Sequence, residues 1–261
     1  MIDIHSHVLP QIDDGPSSWD ETLAMLRQAQ ADGITEVAIT HHILSNLDYE
    51  REAEILTKFE ELKQRLPFEK LEIKLHLACE IYAQVDMELH HTISTYNNNR
   101  KYFLVEFPMQ GIPRFTGEYF FQVINEGMIP IVAHPERNMG IVRNPERAYE
   151  FVQRGALLQM NGGSILGRHG GPVTDAARIL LNANLIHFVG SDGHNTRRRP
   201  LQLSEAFSKI SDEWGEDRAR ALFYDNPAKA LAGDPITIPE PRPVEPLKRG
   251  FWGTLKKAFS A

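Results

Sequence analysis

Histidine and carboxylate side chains recur where apolar, strand-like runs of the sequence end. His5 and His7 follow the first such run, and residues two apart just beyond a strand end can both turn toward one metal ion. Alone, a His-x-His pair is weak grounds for a metal site. The same residue types, however, close five of the other six predicted strands, at His41-His42, Glu80, Glu106, His134 and Asp192-Gly193-His194.

Three of these acids stand in otherwise apolar surroundings. Glu106 lies between Val105 and Phe107, Glu80 lies in the run LACEIY, and Asp192 closes the run FVGSD. Burial of an unpaired carboxylate is so costly that each should be paired or bound to a metal. A metal cluster explains all three together.

The candidate ligands are nitrogen and oxygen donors, which suit Mn, Fe or Zn and disfavour a sulfur-rich structural zinc site. A single ion takes roughly four to six ligands, too few to use the whole set. Three ions can use it, especially if a carboxylate such as Glu80 bridges two of them. The nine candidate ligands are His5, His7, Asp14, His42, Glu80, Glu106, His134, Asp192 and His194.

The charge of such a centre favours a phosphate substrate. Three divalent ions exceed the four carboxylates of the set by two positive charges, which a phosphomonoester dianion would neutralise. Arg137 follows His134 by three residues, and Arg199 follows His194 by five. Both guanidinium groups can reach the same mouth and hold phosphate oxygens bidentately. A solvated loop is the equal alternative for the arginine run at 197–199.

Seven short β-rich runs, each followed by a helix-like segment, position these residues. The predicted strands are residues 2–5, 36–42, 72–82, 102–107, 129–134, 156–161 and 186–192. The predicted helices are residues 18–31, 51–65, 117–126, 145–154, 173–183, 201–212 and 226–231. This alternation is typical of parallel βα units, and parallel barrels place their active sites at the C-terminal ends of the strands.

Composition limits the class of protein. The 261 residues are 42% hydrophobic, enough for one large domain with a tail. The net charge of −7 argues against a nucleic-acid binder, and the single cysteine excludes an internal disulfide and suits a reducing cytoplasm. The start MIDIHSH is unlike a secretory signal, and the longest charge-free apolar stretches are too short to span a bilayer.

The composition changes near residue 234, so we predict a barrel over residues 1–234. Residues 235–247 are rich in proline and predict an extended linker. Residues 248–261 carry four basic and no acidic side chains, and their aromatic residues would share one side of a helix. Such a tail can make a peripheral contact with an anionic membrane or with a partner. A tail that is unfolded or docked on the core is the equal alternative.

Eight short motifs occur in order along residues 1–232. They are IDIHSH, IDDGP, THH, CEIY, VEFP, AHPERN, GSDGH and NPAKAL. Together they resemble the polymerase-and-histidinol-phosphatase (PHP) superfamily, and more narrowly its capsular-polysaccharide branch of manganese-dependent bacterial protein-tyrosine phosphatases. The resemblance implies an α/β fold, a distorted (β/α)7 TIM-like barrel, with three divalent ions at the C-terminal ends of the strands. Mn²⁺ is the implied metal, and Fe or Zn would accept the same ligands.

The resemblance also implies roles for individual residues. The implied ligand sets are His5, His7, Glu80 and Asp192 for one ion, Glu80, Glu106 and His134 for a second, and Asp14, His42 and His194 for a third. Arg137 and Arg199 are the implied phosphate-contacting arginines.

Two neighbouring pairs stay open at this point. His41 precedes His42 and Asp13 precedes Asp14, so either member of each pair can supply the ligand.

The implied activity is hydrolysis of phosphotyrosine in proteins. The implied partner is a bacterial tyrosine autokinase that controls capsule or exopolysaccharide synthesis, and the implied location is the cytoplasm, including the inner face of the membrane. Bound ions would make water reactive near neutral pH, and a phenol with a pKa of about 10 is a good leaving group. A phosphatase of a small metabolite such as histidinol phosphate and a non-catalytic PHP-like adaptor are the alternatives.

Cysteine-dependent phosphatase chemistry is disfavoured. It needs an arginine six positions after the nucleophile, whereas Val85 stands six positions after Cys79. We expect Cys79 to pack as a small buried hydrophobic residue.

Overall fold

One parallel sheet curls into a barrel that is surrounded by helices. A computed structural model describes residues 1–245, and its seven strands are parallel and adjacent in chain order. The strands are β1 (Ile2–Ser6), β2 (Glu36–Ile43), β3 (Lys74–Tyr82), β4 (Tyr102–Glu106), β5 (Ile129–Ala133), β6 (Leu157–Asn161) and β7 (Phe188–Gly190). The helices are α1 (Trp19–Ala31), α2 (Glu52–Arg65), α3 (Thr116–Asn125), α4 (Met139–Arg143), α5 (Glu146–Gln153), α6 (Gly162–Ile165), α7 (Gly171–Asn182), α8 (Ser204–Trp214), α9 (Glu216–Arg220) and α10 (Asn226–Ala232).

The barrel closes between its first strand and the residues that follow its last. The His7 N–H donates to the Gly193 carbonyl at 2.8 Å, and the Asp192 N–H donates to the His5 carbonyl at 2.8 Å. β7 itself has only three residues, so this closure is short. The predicted distorted (β/α)7 barrel is confirmed.

All seven predicted strands and all seven predicted helices are present, with ends shifted by a few residues. β7 differs most, since residues 186–192 were predicted and Asp192 instead adopts a left-handed φ of 54°, which extended strands exclude. The short helices α4, α6 and α9 were not predicted, because four or five residues are too few to show a helical hydrophobic period.

The barrel interior has an apolar lower layer and a polar upper layer. Leu104 belongs to the buried interior cluster, and Tyr96 fills the centre by donating its hydroxyl to the Ile4 carbonyl at 2.9 Å. Alternate residues of a strand face the same side, so the next inward position of β4 after Leu104 is Glu106. The same step along β6 leads from Leu157 to Gln159. Polar groups therefore gather at the C-terminal ends.

A bulge in β1 brings its histidines to this upper layer. Between Asp3 and Ser6, β1 carries one residue more than the paired part of β2. Strict alternation would direct Ile4 and His5 to opposite sides of the sheet. The extra residue lets Ile4 pack in the interior cluster while His5 and His7 also face the interior.

The described part of the proline-rich segment, residues 235–245, contains no helix or strand and lies against the barrel. The Arg242 N–H donates to the Ala183 carbonyl at 2.8 Å, and Ile238 packs on the hydrophobic core. Residues 246–261, which include the predicted basic tail, lie outside the described residues. The division of the chain at residues 234 and 247 stays a prediction. Among the described residues, no helix combines the length and the apolar character needed to cross a bilayer.

Phe120 tests the packing between the sheet and the outer helices. Its ring lies 6.0 Å from that of Phe107 and 5.6 Å from that of Phe151, centroid to centroid. We expect Phe120→Ala to lower the free energy of unfolding by about 3–5 kcal/mol because it opens a cavity in a close-packed core. The control Phe121→Ala removes a side chain on the same helix that is 68% exposed. It should change the free energy of unfolding by less than about 0.5 kcal/mol. Equal urea midpoints for the two variants would contradict this packing.

The buried, neutral imidazole of His187 should make the fold less stable in acid. Burial, followed by the charge of Arg218, lowers the pKa of His187 to about 3, and its Nδ1 accepts a hydrogen bond from the Leu158 N–H at 3.0 Å. The unfolded chain binds this proton near pH 6.5, so stability is present above that pH and is lost as the pH falls toward 3. Between about pH 7.5 and about pH 5 the loss is about 2 kcal/mol.

Urea unfolding at both pH values checks this expectation. His187→Gln should lack this part of the pH dependence, whereas His90→Gln, which alters a side chain that is 74% exposed, should keep it. The same pH dependence in His187→Gln and the wild type would refute it.

Candidate metal centre

The nine predicted ligands meet at the C-terminal ends of the strands, with Glu80 at their centre. Glu80 Oε2 lies 3.2 Å from His5 Nε2, 3.4 Å from His7 Nε2 and 3.2 Å from His42 Nδ1. This buried oxygen has no hydrogen-bond partner within the described part of the chain. Three imidazole nitrogens around one carboxylate oxygen form the environment expected of a shared metal ligand.

His134 and Glu106 extend the cluster on one side of Glu80. His134 Nε2 lies 3.0 Å from Glu80 Oε1 and 3.6 Å from Glu106 Oε1. Glu106 Oε2 lies 3.9 Å from His42 Nδ1. Two carboxylates and two imidazoles thus share one small volume.

Asp14, His194 and Asp192 extend it on the other side. Asp14 Oδ1 lies 3.1 Å from His194 Nε2 and 3.5 Å from His42 Nε2. Asp192 Oδ1 lies 3.6 Å from His5 Nε2 and 3.5 Å from His194 Nδ1. All nine predicted ligands therefore belong to one connected group, called here the nine-residue cluster.

The closest ligand atoms form three overlapping groups. Atoms within 4.8 Å of one another come from His5, His7 and Glu80, from His42, Glu80 and Glu106, and from His7, Asp14, His42 and His194. These groups differ from the implied ligand sets, because His7 and His42 each belong to two of them. The division of the ligands among individual ions stays a prediction.

The geometry favours His42 and Asp14 in the two pairs that the sequence left open. His41 and His42 are consecutive residues of β2, so their side chains face opposite sides of the sheet and His41 faces away from the cluster. Burial lowers the pKa of His41 to about 4. Asp13 supports the cluster from outside, since its Oδ2 lies 2.6 Å from His7 Nδ1 and accepts the His42 N–H at 3.0 Å.

Hydrogen bonds to the far side of three imidazoles turn their Nε2 atoms toward the cluster. The Nδ1 atom of His5 lies 2.7 Å from Gln159 Oε1, and that of His194 lies 2.9 Å from the Asp192 carbonyl. An oxygen acceptor holds the proton on Nδ1 and leaves Nε2 free as a ligand. Asp13 does the same for His7. The sequence interpretation gave Gln159 no role, although a glutamine inside the apolar run of β6 was a usable signal.

Two ligands depend on an unusual backbone conformation. His134 has a φ of 31° and Asp192 a φ of 54°, both in the left-handed region that costs non-glycine residues about 1–3 kcal/mol. Gly190 permits a close approach nearby, since a Cβ there would lie 2.9 Å from both His5 Cβ and Gln159 Nε2. Such strain at strand ends is typical of functional sites.

Asp192 joins the cluster to the two predicted arginines. Its carboxylate accepts hydrogen bonds from Arg137 Nη1 at 2.8 Å, Arg199 Nη2 at 2.5 Å and Asn161 Nδ2 at 2.7 Å. Burial by itself would raise the pKa of Asp192, but the charges of His5 and Arg199 outweigh burial and hold it well below its usual range. Asp192 is therefore a permanent anion that anchors both guanidinium groups.

The other acids and bases of the cluster influence one another strongly. Burial and the charge of Glu80 raise the pKa of Glu106. Burial opposes charge on His7, yet Asp13 and Glu80 together raise its pKa to about 10. Divalent cations would remove the repulsion between the two glutamates and satisfy the free oxygen of Glu80. The donor set and its geometry fit divalent metal ions.

A cavity of about 460 Å³ opens above the cluster. Arg137 and Arg199 line it and are 20% and 31% exposed, so their guanidinium groups can meet a ligand. The rest of its wall includes the apolar or aromatic residues Ile12, Ile43, Leu44, Ile55, Tyr82 and Met109. The cavity thus combines an anion-binding floor with a wall that suits an apolar or aromatic group.

Cys79 is not part of this site. Its side chain is fully buried in the core between sheet and helices, and burial raises the pKa of its thiol. A thiol that is neutral and shielded from solvent cannot serve as a nucleophile toward a ligand in the cavity. The expectation that Cys79 is a packing residue is confirmed.

Comparisons with known proteins identify similar chains. Residues 1–232 match the family model described as capsular polysaccharide synthesis, CpsB/CapC. The chain is 34% identical to tyrosine-protein phosphatase YwqE of Bacillus subtilis, with 95% of this chain and 98% of that protein covered. It is 31% identical to tyrosine-protein phosphatase CpsB of Streptococcus agalactiae, with 88% and 98% covered.

A solved structure of the same kind has a similar fold. It comes from work on YwqE of Bacillus subtilis and CpsB of Streptococcus pneumoniae, described as unique metal-dependent tyrosine phosphatases. It superposes with a TM-score of 0.87 at 33% identity, covering 94% of this chain and all of that one. A TatD-like protein of Archaeoglobus fulgidus, 15% identical with a TM-score of 0.52, shares the fold alone.

Asp13→Asn tests whether the residues around the cluster tune metal affinity. The substitution keeps the shape of the side chain but removes the negative charge beside His7 Nδ1. We expect divalent metal affinity to fall about 10- to 100-fold, as for other residues that orient metal-ligating histidines. Calorimetric titration of metal-free protein with Mn²⁺ measures this directly. Asp20→Asn changes an exposed acid by the same charge and should bind as the wild type does. Unchanged affinity in Asp13→Asn would show that Asp13 does not orient a ligand.

Proposed function

The chain belongs to the CpsB/CapC family of capsular polysaccharide synthesis proteins, and from that premise we propose that it is a metal-dependent phosphatase that hydrolyses phosphotyrosine in proteins. The observation that carries the proposal is the nine-residue cluster at the floor of a cavity that also presents two arginines and an apolar wall. This arrangement offers separate places for metal ions, a phosphoryl group and an aromatic ring.

The proposal includes three divalent ions in the nine-residue cluster, with Mn²⁺ preferred over Fe or Zn. The convergence of nine residues with N and O donors in one connected group, which includes the free oxygen of Glu80, supports this number. When bound, such ions make water a nucleophile near neutral pH and offset the charge of a phosphoryl group.

Arg137 and Arg199 bind the non-bridging phosphoryl oxygens in this proposal. Their anchor is the permanently charged Asp192, which limits the rotation of both side chains before substrate arrives. Planar guanidinium groups match phosphate oxygens bidentately and stabilise charge on the transferring group. Water adds to phosphorus as the bond between phosphorus and the tyrosine oxygen breaks, and the phenolate leaves with that electron pair. One proton of the water is transferred in net to the phenolate, so the products are hydrogen phosphate and tyrosine. No covalent phosphoenzyme is needed, which agrees with the position of Cys79 in the core.

The apolar wall supports an aryl phosphate as the substrate. A phosphoryl group at the arginines would place a tyrosine ring beside residues such as Ile12, Ile43 and Met109. Burial of that ring against apolar side chains contributes binding free energy that a phosphoserine side chain cannot supply.

The proposed partner is a bacterial tyrosine autokinase that regulates capsule or exopolysaccharide synthesis, supported by the description of the matching family. The proposed location is the cytoplasm, including the inner face of the membrane. Attachment there would depend on residues 248–261, which lie outside the described residues.

Hydrolysis of a phosphotyrosine peptide by the purified protein tests the proposal. We expect activity that chelation abolishes and Mn²⁺ restores. His134→Ala should lose at least about 10- to 100-fold in kcat/KM, since loss of a ligand should cost no less than loss of a residue that orients one. Cys79→Ser should retain metal-dependent turnover. A phosphoserine peptide of the same sequence should be the poorer substrate.

The controls separate the proposed function from its competitors. Rapid metal-dependent hydrolysis of a small metabolite such as histidinol phosphate, without turnover of the peptide, would point to metabolite chemistry. No turnover of any phosphomonoester by metal-loaded protein would point to a non-catalytic adaptor. Loss of activity in Cys79→Ser, with its fold intact by circular dichroism, would reject the metal-centred mechanism.

A further inference from the structure

A second, smaller cavity of about 50 Å³ lies beside the first. One side of it comes from α6 and the turn that follows this helix, with Gly163, Arg168 and His169. The other side comes from the loop after β7, with Arg198. Arg199 lines both cavities. The second cavity therefore lies next to the proposed phosphoryl position.

The lining of this cavity is rich in positive charge. Among residues 1–245, no carboxylate pairs with Arg198, which is exposed. Arg168 donates to Glu205 at 2.8 Å, but that pair is itself largely exposed and so contributes little. The one carboxylate that lines the cavity, Asp192, already accepts hydrogen bonds from Arg137 and Arg199.

The side chain of Asn195 holds the loop that carries Arg198 in place. Asn195 Oδ1 accepts the N–H groups of Arg197 at 3.1 Å, Arg198 at 2.8 Å and Arg199 at 3.2 Å. The Arg199 carbonyl in turn accepts the His194 N–H at 2.8 Å. These bonds hold the backbone of the arginine run against His194, a member of the nine-residue cluster.

Gly163 keeps the cavity open on its other side. A Cβ at this position would lie 3.3 Å from His169 Nε2 and 3.4 Å from Arg168 Cδ. Partial burial and the charge of Arg137 lower the pKa of His169 to about 4, so its ring is neutral at pH 7 and can donate one hydrogen bond to an anion.

From this geometry we propose that the second cavity binds an anionic side chain of the substrate peptide, a carboxylate or a second phosphoryl group, close in sequence to the phosphotyrosine. The inference rests on the proposed function. The chain as a whole has a net charge of −7, whereas this cavity is positive. An acidic peptide is therefore attracted to the cavity more strongly than to the rest of the protein surface. Because Arg199 lies between the cavities, one extended peptide can place its phosphotyrosine in the first cavity and the neighbouring anion in the second.

Three phosphotyrosine peptides of equal length test the proposal with metal-loaded, full-length protein. One has neutral flanking residues, one has flanking glutamates, and one has a second phosphotyrosine. We expect kcat/KM to be about fivefold higher for each anionic peptide than for the neutral one, and the difference to shrink at high salt. A larger gain for the second phosphotyrosine than for the glutamates identifies phosphate as the preferred anion, and the reverse identifies carboxylate.

Two variants and a matched control locate the effect. Arg198→Gln removes a charge from the cavity, and Gly163→Ala narrows it without changing the charge. Both should lose the preference for anionic peptides and keep the wild-type kcat/KM on the neutral peptide. Arg197→Gln removes the same charge one residue away, from a side chain that does not line the cavity, and should keep the preference.

The outcomes separate this inference from the proposed function. Equal efficiency of the wild type on all three peptides overturns the inference alone. An equal loss of preference in Arg197→Gln and Arg198→Gln also overturns it, because a general field would then be the cause. Failure to hydrolyse any of the three peptides overturns the proposed function and this inference with it.

Discussion

The burial of an ionised Glu80 among imidazoles is the constraint on which the rest of the site depends. A carboxylate at the centre of a barrel is tolerable only if positive charge or hydrogen-bond donors surround it. Histidines from β1, β2 and the end of β5 supply that environment, with nitrogens 3.0–3.4 Å from its oxygens. The same arrangement that makes the acid tolerable creates a set of donors for divalent cations. Stability of the fold and metal binding thus place the same demand on the interior, which is a ring of imidazole nitrogens around Glu80.

Meeting that demand requires departures from regular strand geometry. The bulge in β1 turns His5 and His7 inward, and the left-handed backbone of His134 and Asp192 aims their side chains across the strand ends. Each departure costs conformational free energy and is retained where surrounding contacts compensate for it. The apolar layer below, filled by Tyr96, supports these strand ends and keeps water from the lower barrel.

Asp192 connects the nine-residue cluster to the two arginines of the cavity. As a buried anion it contacts His5 and His194 on one side and holds Arg137 and Arg199 on the other. A change at Asp192 would therefore affect both the cluster and the two arginines proposed to bind phosphate. The groups of the site are divided in space, with the nine-residue cluster at the floor, guanidinium groups beside it and apolar side chains in the wall of the cavity.

Sequence alone identifies the seven βα units and seven of the nine convergent side chains, because strand ends in a parallel barrel meet at one face whatever the details of the loops. It could not choose between His41 and His42 or between Asp13 and Asp14, since side-chain direction depends on register and on local bulges. It also gave no role to Gln159, whose importance arises only from its distance to His5 across the barrel. The choice of His42 and Asp14 and the role of Gln159 follow from the folded chain, because side-chain orientation and long-range hydrogen bonding are properties of the closed barrel and not of any single segment.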